Sequence, residues 1–510
     1  MLQTVKSWWR GRSTRRRHCC ESSRSADREA AVRPHNTSQS HRVQLFVALD
    51  KQIVSPANHI SGSTLRATAA GLGALRCLGV EGVVLEVWWG LVEAAGPGQY
   101  DWSSNHTLLQ KLRELGLTVK VELCFHGNSH ISLPPWVLDA GQHDPDIFFT
   151  DAELGRCFDC LSLGVDGLPV LHGRTPLHVY TNLMTAFRDE FADYLGTTIV
   201  ECTIGLGPGG ELRYPSTPMH RWEFPGVGEF QCYDRYMLAS LRACSREVGQ
   251  PDWGEETGKG PHDAGHYCRW PHQTGFFNPA GAWTTPYGTF FLQWYSELLL
   301  KHGSRVLSSA ATVFARSGAL LAAKVPSLHW WYNTPSRAAE LTAGIFNTHK
   351  RDGYTPVVAL LARANAKLLV GNAEMRNTEQ PLHAACGPEE QLLQWRTTAA
   401  ALGVPVGLEN TLLRFDPAAY NKLETTIYTP CCSEGIDLPR PASLTFKHMC
   451  NDLFEPANWH DFKLFVRKLG SHEEDRGFGR SQLLWADYGG QDAALPESGL
   501  SPRQQAAAMV

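Results

Sequence analysis

From residue 43 onward the chain alternates between two patterns. Short runs of apolar, often β-branched residues are each followed by a longer stretch with apolar positions every three or four places. The first pattern reads as a strand buried on both faces, the second as an amphipathic helix packed on it. Strands are expected at 43–49, 83–88, 117–125, 198–206, 320–328, 367–370, 404–408 and 443–446. Helices are expected at 63–78, 104–115, 177–195, 287–317, 336–347, 356–364, 388–402 and 459–469, with Gly79 and Gly116 stopping the first two. Long insertions follow the third and fourth strands, and the second, 207–281, is rich in Gly, Pro, Trp and His. Eight buried strands alternating with helices predict an α/β fold, a (β/α)8 TIM barrel over residues 43–470. A doubly wound open sheet would need a Gly-rich phosphate loop after an early strand. The glycines of 205–210 are irregularly spaced and follow strand four.

Two flanking segments fall outside this rhythm. Residues 1–42 carry Arg10, Arg12, Arg15, Arg16, Arg17, Arg24, Arg28, Arg33 and Arg42 among serines, with few acids and no apolar signal core. That composition reads as an organellar transit peptide. Residues 471–510 are polar and aperiodic, and read as a C-terminal tail.

Composition excludes more than it identifies. The 510 residues are 43% hydrophobic and 19% charged, with a formal net charge of -4, which gives no general pull towards nucleic acid or anionic membrane. No run of 18 apolar residues predicts a membrane span. The 16 tryptophans and 14 tyrosines suit sugar stacking or an ordinary core equally. The 14 cysteines show no disulfide framework. Cys157 and Cys160 have CxxC spacing without a second pair at zinc-site distance, and Cys431 and Cys432 read as adjacent thiols. A reducing compartment is the simplest account.

Catalytic groups of such barrels sit just past the C-terminal ends of the strands. There the chain places Glu86, His126, Glu211 with Arg213 and Tyr214, Lys324 and His329, Glu374, Glu409 with Asn410, and Lys447 with His448. Two carboxylates across a barrel mouth suit glycoside hydrolysis. The acids and histidines are dispersed one per strand, so no metal site is expected, and no nucleophile elbow or P-loop is present. No cofactor is expected.

The run Gly205-Leu-Gly-Pro-Gly-Gly-Glu211-Leu-Arg-Tyr-Pro-Ser216 resembles the signature around the catalytic acid of plant β-amylases. Similar matches are Gly226-Val-Gly-Glu-Phe-Gln-Cys-Tyr-Asp234, His329-Trp-Trp-Tyr332, Glu374-Met-Arg376 and Leu408-Glu-Asn410, and the likeness runs from about 43 to 469. It implies an inverting exo-hydrolase that releases β-maltose from the non-reducing ends of α-1,4-glucans. Glu211 matches the proton donor and Glu409 the proton acceptor, which inversion would set roughly 6.5–9.5 Å apart. Glu86, His126, Lys324, His329, Asn410 and Thr411 fall on substrate-binding positions. The transit-peptide reading of residues 1–42 makes a plastid the expected location, with the cytoplasm as the alternative.

Departures from the family pattern keep a second reading open. The segment His126-Gly-Asn-Ser-His-Ile-Ser-Leu-Pro134 is several residues shorter than the family's mobile glycine-rich loop and lacks its aspartate. Gly371 stands for a threonine, Glu86 for an aspartate, His448 for an arginine and Thr411 for an alanine. The chain is therefore expected to be a β-amylase, or a weak or inactive relative that binds glucan or a protein partner and regulates starch breakdown.

Overall fold

The computed structural model describes residues 43–255, 261–428 and 438–474. The basic segment 1–42, the Cys431–Cys432 pair and residues 475–510 lie outside the described residues.

Eight parallel strands close into a barrel: β1 (Gln44–Ala48), β2 (Gly82–Trp88), β3 (Thr118–Cys124), β6 (Ile199–Ile204), β7 (Leu320–Lys324), β8 (Ala366–Val370), β9 (Val406–Glu409) and β10 (Ser443–Phe446). Around the barrel the order is β1-β10-β9-β8-β7-β6-β3-β2. Between β3 and β6 the chain adds an antiparallel hairpin, β4 (Phe148–Thr150) with β5 (Arg156–Leu161), which carries the free thiols of Cys157 and Cys160.

Helix boundaries follow local chemistry. The Ser61 side chain accepts from the Thr64 amide and starts Gly62–Cys77, and Thr175 does the same for Pro176–Glu190. Pro286 opens the 28-residue helix Pro286–Val313 at its first turn, where a missing N–H costs nothing. The stretch 336–347, expected as helix, is helical only over Ala338–Thr342, because the chain reverses at Gly344 with φ 92°. Pro135–His143 and Arg235–Glu247 lie in the two insertions and Pro417–Tyr428 between β9 and β10; none of these helices is among those expected from the sequence. The last described helix, Pro456–Glu474, runs across the boundary expected at 470.

The barrel interior is charged as well as apolar. On β3 the valines and Leu123 pack against the helices, while Lys120 and Glu122 alternate with them and point inwards. The Lys120 ammonium donates to Ser443 Oγ at 2.8 Å and lies 3.9 Å from Glu201. Lys367 is hydrogen-bonded to Glu201 and to Ser443. Burial pushes the Lys120 ammonium down to about 7 against the pull of Glu201. Charges buried this deeply persist only when paired, and this layer forms the floor beneath the barrel mouth.

Candidate active site

Past β6 the chain makes a tight turn at Pro208–Gly210, with φ 63° at Gly209 and 79° at Gly210. A Cβ on Gly210 would lie 2.3 Å from Glu122 Oε1, so only glycine lets the backbone pass over that carboxylate. The turn brings Glu211 beside Lys324 as an isolated β-bridge, and the Leu212 amide donates to the Lys324 carbonyl at 3.0 Å. Arg213 Nε, 3% exposed, donates to Glu211 Oε2 at 2.7 Å. Burial raises the Glu211 carboxyl, opposed by Arg213.

Glu409 ends β9 on the same cavity. Its Oε2 lies 2.7 Å from the Lys447 ammonium and 3.9 Å from that of Lys324. Burial alone would raise this carboxyl, but Lys324 and then Lys447 outweigh it and hold it at about 2. Lys324 is itself clamped to Glu122, which keeps its ammonium charged against burial. One lysine thus touches both glutamates, through its backbone at Glu211 and its side chain at Glu409. The two carboxyls are pushed in opposite directions.

Six of the eight expected site residues line this cavity: Glu86, His126, Glu211, Lys324, Glu409 and Thr411. His448, Gly371, Lys51, Glu122 and Ser327 complete much of the wall. Burial raises the Glu86 carboxyl against Lys51, and holds His126 at about 3 and His448 at about 4, both neutral near pH 7. Among the described residues Glu86 Oε2, His126 Nδ1 and His448 Nδ1 are buried without a hydrogen-bond partner.

His329 and Asn410 sit one layer behind the wall. His329 Nε2 is 3.1 Å from Gln380 Oε1. Asn410 braces the neighbouring loop: its Nδ2 donates to the carbonyls of Leu412 and Lys447, and its Oδ1 accepts from the Lys447 amide. Glu374 is likewise a brace, accepting the amides of Thr411 and Leu412.

Residues 51–475 match the profile of "Glycosyl hydrolase family 14". The chain belongs to that family. It is 45% identical over 414 residues to "Beta-amylase 2, chloroplastic" of Oryza sativa subsp. japonica, covering 79% of this chain and 73% of the relative. It is 44% identical over 439 residues to "Beta-amylase 1, chloroplastic" of Arabidopsis thaliana, covering 84% and 76%. Among solved structures, the catalytic domain of β-amylase from Paenibacillus polymyxa superposes with a TM-score of 0.69 at 25% identity, over 84% of this chain and 99% of that one.

Two features of this family-14 chain shape its cavity. The short segment after His126 is a fixed turn: Asn128 Oδ1 accepts the amides of His130 and Ile131, and the Gly127 amide donates to the Asp159 carbonyl of β5. Ile131 is buried against Trp88, Leu91 and Cys124. At the other wall, Thr411 Oγ1 accepts the Asn372 amide at 2.9 Å, and Ser327 Oγ accepts that of Gly371 at 3.0 Å.

Sequence reasoning had not singled out Glu122, Lys51 or Ser327. Glu122 carried a signal: a second charged residue, two places after Lys120, in an otherwise apolar strand. Among the described residues no group of three His, Cys, Asp or Glu could hold a metal ion.

Proposed function

We propose that the chain hydrolyses α-1,4-glucosidic bonds of starch-type glucans from the non-reducing end with inversion, releasing β-maltose. The observation that carries this reading is the opposed setting of two glutamates on one cavity, one carboxyl raised and the other held ionised. Glu211 gives its proton to the glycosidic oxygen as the C1–O bond breaks. Glu409 takes a proton from water as the water oxygen bonds to C1 from the opposite face. Neutral His126, the Lys324 ammonium and Glu86 hold sugar hydroxyls, while His329, Asn410 and Glu374 keep the wall in place. The chloroplastic relatives, together with the Arg- and Ser-rich residues 1–42, support a plastid location.

A second reading, glucan binding with little turnover, is favoured by two observations: Lys447 sits on Glu409, and the strand-three segment is short and pinned. Maltose release from soluble starch, measured beside Glu211→Gln, separates them. Removing a general acid costs about 10²–10⁴-fold. Equal release at background level from both proteins would leave only the binding reading.

A further inference from the structure

We propose that Lys447 is a positioning residue that sets the strength of the base: its ammonium, bonded to Glu409, weakens that carboxylate as a proton acceptor through the reaction. This rests on the hydrolase reading given above.

Lys447 is tied at its root and bonded to Glu409 at its tip. Its amide donates to Asn410 Oδ1 at 2.6 Å and its carbonyl accepts from Asn410 Nδ2 at 2.8 Å, which ties its backbone to the residue beside Glu409. The side chain is 28% exposed, against 9% for Lys324 and 6% for Glu409. Of the two ammonium groups that meet Glu409, Lys447 is the closer and the more exposed.

The other groups around Glu409 are committed. Lys324 is clamped to Glu122, and Lys120 and Lys367 share Glu201 and Ser443. Across the cavity Glu211 is held by Arg213, and Glu374 is taken by two amides. His448, next to Lys447, is neutral near pH 7. Removing Lys324 would strand Glu122 as a buried charge, whereas removing Lys447 leaves Glu409 still facing Lys324. An ammonium bonded to a carboxylate oxygen both covers that oxygen and disfavours protonation, so Lys447 weakens Glu409 as a proton acceptor.

The experiment compares the full-length protein with Lys447→Met, which keeps the length and removes the charge, and Lys447→Arg, which keeps the charge. Maltose release from maltodextrin is followed from pH 2 to 8, a range that reaches the wild-type setting of Glu409 at about 2. In parallel, protein labelled with 13C at its glutamate carboxyls is titrated, Glu409 being the resonance missing from Glu409→Gln. Lys447→Met should raise kcat at pH 7 by about threefold or more. It should also move the acid limb of kcat/KM and the Glu409 titration upward by about one pH unit or more, while Lys447→Arg leaves both where the wild type has them. A lower kcat in Lys447→Met with an unmoved limb, or an unmoved Glu409 titration, would overturn the proposal. If none of the three proteins releases maltose, the hydrolase reading fails, and the Glu409 titration alone decides the role of Lys447.

Discussion

Gly371 and Thr411 compete for one space: a Cβ built on Gly371 would lie 2.7 Å from the Thr411 hydroxyl oxygen and 2.9 Å from that of Ser327. The two departures from the family pattern on this wall are therefore coupled. Gly371→Thr alone should cost about 1–3 kcal/mol through overpacking. Thr411→Ala alone removes the acceptor of the Asn372 amide and should cost about 1 kcal/mol. The double substitution should be more stable than the sum of the two by roughly 1 kcal/mol or more, measured by urea unfolding. Strict additivity would show that the two positions do not share their space.

Glu374 supplies a pH signature of stability. Burial raises its carboxyl from the ordinary 4.5 to about 6. Below 4.5 the group is protonated in both folded and unfolded chains and carries no penalty. Between 4.5 and 6 the unfolded chain releases its proton first, so stability falls as pH rises, by about 1–2 kcal/mol in all. Glu374→Gln keeps an acceptor for the Thr411 and Leu412 amides and should lack this fall. Urea midpoints of both proteins from pH 4 to 7.5 test it.

The turn before Glu211 offers a matched pair of substitutions. Gly209 and Gly210 both have positive φ, yet nothing lies within 4 Å of a Cβ on Gly209. Gly209→Ala should cost about 1 kcal/mol, for backbone strain alone. Gly210→Ala adds a collision with Glu122 and should cost about 2 kcal/mol or more. It should also lower maltose release about tenfold or more, because Lys324 loses its clamp. Melting temperature and initial rate report the two effects separately.

Residues 1–42, fused to a fluorescent reporter, should carry it to plastids. A reporter that stays diffuse in the cytosol would remove that assignment and leave the cytoplasmic alternative.

The fold was legible because the barrel strands are buried on both faces and read as short, mostly apolar runs, interrupted by inward charges such as Lys120, Glu122, Glu201 and Lys367. The observed bounds of β1, β2, β3, β8 and β10 fall within a residue or two of the expected ones. The helix Arg235–Glu247 is amphipathic, with Met237 and Leu241 buried, but it lies inside an insertion whose Gly, Pro, Trp and His content reads as loop. Strand ends pointed to the residues of the cavity, but pairing across it was not readable. Glu122 meets Lys324 at a separation of 202 residues, and nothing local in either strand specifies the other. The roles of Asn410 and Glu374 as braces were hidden for the same reason, since both act on backbone amides and carbonyls of loops.

The pinned turn after His126 changes what governs traffic at the mouth. A hinged cover opens and closes in microseconds to milliseconds, and such motion often limits turnover. Here Ile131 anchors the segment in an apolar nest and Asn128 ties off its amides, so the segment serves as wall. Arrival and departure of a chain end then depend on side-chain rotations, which take picoseconds to nanoseconds at exposed positions. On the proposed reading the trade is retention: a pinned segment at this rim leaves a seated sugar in contact with bulk water. Residence time therefore becomes the quantity in which this chain should differ most from a lidded relative.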